Sequence, residues 1–76
     1  MNNIRRKKLV KLYEEIEALK TELEEIQEEE QEAFDNIPEN LEGTEKYEKA
    51  EEALDNLSNA LYSLEEALES IEQAQE

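Results

Sequence analysis

Cysteine, histidine and tryptophan are absent from this chain, and there is one glycine, one proline and one phenylalanine. Without cysteine there is no disulfide and no thiolate metal site. Without histidine or cysteine, the commonest general base and a strong nucleophile are both missing. Carboxylates remain plentiful, but acid–base catalysis needs two of them in contrasting environments, and solvated glutamates provide no contrast. Ser58, Ser63 and Ser70 have only Glu and Lys as candidate bases. Di-iron helical bundles use Glu-x-x-His pairs, which cannot be built here, and no calcium-loop pattern surrounds Gly43. The chain reads as a non-enzyme without cofactor or metal. Long hydrophobic runs are lacking too, the longest being Ala60-Leu61-Tyr62. A signal peptide needs about 7–15 apolar residues and a membrane helix about 20. The absence of cysteine also fits a reducing, intracellular setting.

What is present is a heptad pattern, written twice. One 3-4 spaced series runs Leu9, Leu12, Ile16, Leu19, Leu23, Ile26, Glu30, Ala33, and a second runs Tyr47, Ala50, Leu54, Leu57, Leu61, Leu64, Leu68, Ile71. Read antiparallel, each residue of the first meets one of the second with numbers summing to 80, from Leu9 with Ile71 to Ala33 with Tyr47. This predicts a single all-α domain over residues 1–76, an antiparallel helical hairpin with coiled-coil packing. The helices are expected at about 3–34 and 45–75, with a loop at 35–44. Asn2 or Asn3 can cap the first helix, and Thr44 the second. Pro38 disfavours helical geometry at Ile37, a short helical turn fits Pro38–Leu41, and Gly43 permits a left-handed backbone. Ile37 and Leu41 should fold back toward Phe34 and Tyr47.

The second helix has the wider apolar face. Alanines recur at 53, 60, 67 and 74 beside the leucine stripe, giving three apolar positions per heptad, which suits a bundle better than a two-stranded seam. At 76 residues, a lone core supplies only about 3–5 kcal/mol. Both observations predict a homodimer of hairpins forming a four-helix bundle. Its core and dimer surface are expected from Leu54, Leu57, Ala60, Leu61, Leu64, Ala67, Leu68 and Ile71, with the second helices near the dimer axis.

Charge is high and uneven. The net charge is −15, yet residues 1–12 hold five basic residues (Arg5, Arg6, Lys7, Lys8, Lys11) and no acidic ones. Residues 13–76 hold three basic and all 23 acidic residues, a net of −20. Such a body repels nucleic acid and anionic membranes, so no direct contact with either is expected. The basic start should lie beside the acidic end of the second helix and help set antiparallel pairing. Like-charged pairs such as Glu24–Glu28 and Glu25–Glu29 should destabilise the first helix slightly. Glu24, Glu25, Glu28 and Glu29, with Tyr13 and Tyr62 off the main stripes, are the candidate partner contacts. The partner they imply is a basic, nucleic-acid-binding protein.

The stretch from Ala33 to Ala53, AFDNIPENLEGTEKYEKAEEA, together with the basic start and the Glu-rich first helix, resembles a group of short acidic helical proteins of low-GC Gram-positive bacteria and their phages or mobile elements. No function attaches to that group, so no functional residue is carried over. The resemblance implies the cytoplasm of a bacterial host. The architecture is also similar to the plasmid-encoded Rop hairpin dimer, whose RNA binding does not transfer to so acidic a surface. The leading expectation is a non-enzymatic protein–protein interaction module working through its dimer surface or acidic faces. The alternatives are a nucleic-acid-mimicking inhibitor of a DNA- or RNA-binding protein, of the phage anti-defence type, and a structural assembly scaffold.

Overall fold

The computed structural model describes all 76 residues as two long helices packed antiparallel. Helix α1 spans Asn3–Asp35, a 3-10 turn covers Glu39–Leu41, and helix α2 spans Glu45–Ala74. Neither helix contains Gly or Pro, and Glu, Leu, Lys, Gln and Ala propagate both. The Asn2 side chain accepts the backbone N–H of Arg5 at 2.8 Å. Thr44 accepts that of Tyr47 at 3.3 Å while its own hydroxyl donates to the Leu41 carbonyl at 2.7 Å. Asn36 closes α1, donating its backbone N–H to the Glu32 carbonyl. Gly43 then reverses the chain with φ +82°, a conformation that costs other L-residues about 1–2 kcal/mol. The hairpin measures 59 × 15 × 13 Å.

Two contacts at opposite ends fix the register. The rings of Phe34 and Tyr47 lie 4.8 Å apart near the loop, and the Arg6 guanidinium donates from Nε to the Gln75 carbonyl at 3.0 Å at the open end. Both pairs of numbers sum to 81. Alternate layers of the seam are therefore Arg6, Tyr13, Lys20, Gln27 and Phe34 from α1, level with Gln75, Leu68, Leu61, Leu54 and Tyr47 from α2. Between them lie Leu9, Ile16 and Leu23, level with Ile71, Leu64 and Leu57. The α1 residues of these layers are all half-buried, and Glu30, which continues the second set level with Ala50, is exposed.

This corrects half of the expected α1 stripe. Leu12, Leu19 and Ile26 do not sit in the seam. They are 48%, 59% and 50% exposed, and Ala33 is exposed as well. Tyr47 meets Phe34, not Ala33. Tyr13, expected off the stripe, is a seam residue. The reason is that α1 carries two overlapping 3-4 series sharing Leu9, Ile16, Leu23 and Glu30. The more polar one can lie against α2, because its long side chains lay their apolar stems over the leucines and carry their polar tips out to one edge.

The α2 expectations fare better. Leu54, Leu57, Leu61, Leu64 and Ile71 are half-buried, as is Ala67, while Ala60 is exposed. Leu68 alone is buried, at 5% exposure. Two helices 13–15 Å across together cannot enclose a dry core. Every seam residue but Leu68 keeps one side open.

Candidate protein-interaction surface

The two edges of the hairpin differ in chemistry. In an antiparallel helix pair, residues that follow the seam by equivalent steps on the two helices share one edge, and residues that precede it share the other. On the polar edge, Lys20 Nζ lies 3.2 Å from Glu65 Oε1 and 3.8 Å from Glu24 Oε1. The Gln27 amide donates to Ser58 Oγ at 2.8 Å. The hydrogen bond to Glu65 raises the Lys20 pKa, opposed by desolvation and assisted by the charges of Glu65, Glu24 and Glu17. Toward the open end this edge becomes a shallow groove of about 340 Å³ lined by Val10, Tyr13, Glu14, Glu17, Glu72 and Gln75.

The opposite edge is apolar. Leu12, Leu19 and Ile26 each precede a seam residue of α1, as Ala53, Ala60, Ala67 and Ala74 do on α2. The register sets Leu12 level with Ala67, Leu19 with Ala60, and Ile26 with Ala53. No side chain of this chain covers the α1 stripe. Its outer rim is Glu15, Glu22 and Glu29 on α1, but Asn56, Ser63 and Ser70 on α2. Sequence reasoning named the alanine line but placed Leu12, Leu19 and Ile26 inside the hairpin. The usable signal was the seven-residue repeat of Tyr13, Lys20, Gln27 and Phe34, which completes a second 3-4 series with Leu9, Ile16 and Leu23.

The other candidates scatter. Tyr62 points outward at 63% exposure, while Tyr13 is half-buried in the seam, so the two make no common patch. Glu24, Glu25, Glu28 and Glu29 are all exposed and follow one another around the outer arc of α1. No group of three acidic side chains converges as a metal site would require, and no helix is long and apolar enough to cross a membrane. The expected ionic clasp at the open end reduces to the Arg6 hydrogen bond, because Arg5, Lys7, Lys8 and Lys11 are exposed and make no ion pair with α2. At the loop end, Ile37, Pro38, Leu41 and Tyr47 line a small hollow. Burial pushes the Tyr47 phenol upward in pKa, with Glu42 and Glu51 adding to the shift. No protein-family model, curated protein or solved structure matches this chain.

Proposed function

We propose that this chain is a non-enzymatic protein–protein interaction module that pairs with a second copy through its apolar edge. The pair forms a four-helix bundle and offers its acidic outer arcs to a basic partner. The observation that carries this reading is the exposed stripe of Leu12, Leu19 and Ile26 beside the alanine line, in a hairpin with a single buried residue. Fully burying a leucine or isoleucine side chain contributes about 1.5–3 kcal/mol. Three such residues per copy, half exposed, are a large reserve for a domain whose own core supplies about 3–5 kcal/mol. Sedimentation velocity at micromolar concentration should give twice the 8.9 kDa chain mass. A well-folded monomer under those conditions would overturn the proposal.

Charge density supports a second reading, a mimic of nucleic acid that inhibits a DNA- or RNA-binding protein. One chain carries −15 over a 59 Å axis. Two chains side by side would carry about one negative charge per 2 Å, against roughly one per 1.7 Å in duplex DNA. Competition by DNA for a captured basic partner, with steep salt dependence, separates this reading from a plain assembly scaffold.

A further inference from the structure

Resting on the self-pairing just described, we infer the arrangement of the second copy: both loops at the same end, with α1 of each hairpin lying along α2 of the other. Two twofold arrangements can close one apolar edge upon another. With the loops at the same end, Leu12, Leu19 and Ile26 meet the partner's Ala67, Ala60 and Ala53 at matching levels. Each layer then alternates large and small around its four corners, which lets the four helices keep even separations. With the loops at opposite ends, α1 lies on α1 and α2 on α2. Leu19 then faces the partner's Leu19, and Leu12 faces the partner's Ile26, while alanine faces alanine along the other side. The large residues hold one pair of helices apart exactly where the alanines need the other pair close.

Charge along the rims gives the same answer. In the same-end arrangement, Glu15, Glu22 and Glu29 of α1 border the uncharged Asn56, Ser63 and Ser70 of the partner's α2. In the opposite-end arrangement, Glu15 of each copy borders the partner's Glu22, so the middle of the interface carries two carboxylate pairs, and only the flanking Glu29 meets an opposite charge, the partner's Lys8. Like charges brought together at an interface oppose association.

The chain has no native cysteine, so Glu39→Cys gives a single site for a nitroxide label. Glu39 is exposed and begins the 3-10 turn of the loop. Pulsed dipolar EPR on the labelled chain, with its mass checked by light scattering, reads the loop-to-loop distance directly. The same-end arrangement gives a distance under about 30 Å, since neighbouring helices of a bundle lie about 8–10 Å apart. A dimer whose distance approaches the 59 Å long axis overturns the arrangement and leaves self-pairing intact. A monomeric mass with no dipolar signal overturns the self-pairing itself.

Discussion

One edge of this hairpin finds its partners within the chain, and the other does not. Lys20, Gln27 and Arg6 bridge to Glu65, Ser58 and Gln75 on or near the polar edge. Leu12, Leu19 and Ile26 reach across to nothing but alanines on the apolar one. Polar bridges at an exposed edge contribute little to stability, because water competes for the same groups. Their use is to direct packing: they mark which side of α1 turns toward α2. Apolar exposure has the opposite balance, being energetically large and directionally vague. The polar edge therefore orients α1 within one chain, and the apolar edge is the one the proposed association would use.

The sharpest way to break this contrast is to charge the apolar edge. Leu19→Glu should weaken association by at least about 20-fold, since each copy loses the further burial of a leucine 59% exposed in the lone hairpin, roughly 1–2 kcal/mol apiece. Gln27→Ala on the polar edge should leave association unchanged. Sedimentation equilibrium across a dilution series measures both. Equal effects from the two substitutions would remove the distinction between the edges. Next in size is the centre of the seam. Leu68→Ala truncates the only buried side chain and should cost about 2–3 kcal/mol, near the low end for leucine because the site lies close to solvent. For a domain of this size that lowers Tm by about 10–20 °C. A fall no larger than that of Tyr62→Ala, at the most exposed tyrosine, would show that the seam is not the stability core.

Much of the fold was legible because several local signals agree. Asn2, Pro38, Gly43 and Thr44 punctuate the chain at places that suit their chemistry, and α2 has leucine or isoleucine at every seam position from Leu54 to Ile71. Helix α1 is different. Its apolar residues occupy a stripe and a half, and apolarity alone pulls Leu12, Leu19 and Ile26 into the seam. The structure seats Tyr13, Lys20 and Gln27 there instead, since their stems are apolar and their tips have Glu65 and Ser58 within reach. A periodicity count treats such residues as polar and misses the stem. Phe34 was expected near Tyr47 at the loop end, but Ala33 continued the leucine series and took its place in the layer that Tyr47 completes. The candidate surface was misplaced by the same choice between series, which put Leu12, Leu19 and Ile26 inside the hairpin although they lie on its open edge.

The smallest expected effect belongs to the polar edge and has a distinct pH signature. Lys20 is raised above its usual value of 10.5, first by its hydrogen bond to Glu65. The folded chain therefore holds that proton more tightly than the unfolded chain. The contribution is complete at neutral pH and disappears as pH climbs beyond 10.5. Tyr47, raised above 10.0, acts in the same direction, because ionising a half-buried phenol opposes folding. Thermal melts should thus be flat in this respect at neutral pH and fall above about pH 10. Lys20→Met keeps the apolar stem while removing the ammonium, so it should preserve the seam, lower Tm slightly at pH 7 and make the alkaline fall shallower. Tyr47→Phe should remove most of what remains of that fall while keeping the ring against Phe34. If Lys20→Met leaves the alkaline slope as steep as before, the contact with Glu65 does not couple to folding, and the polar edge orients α1 through the stems of its side chains alone.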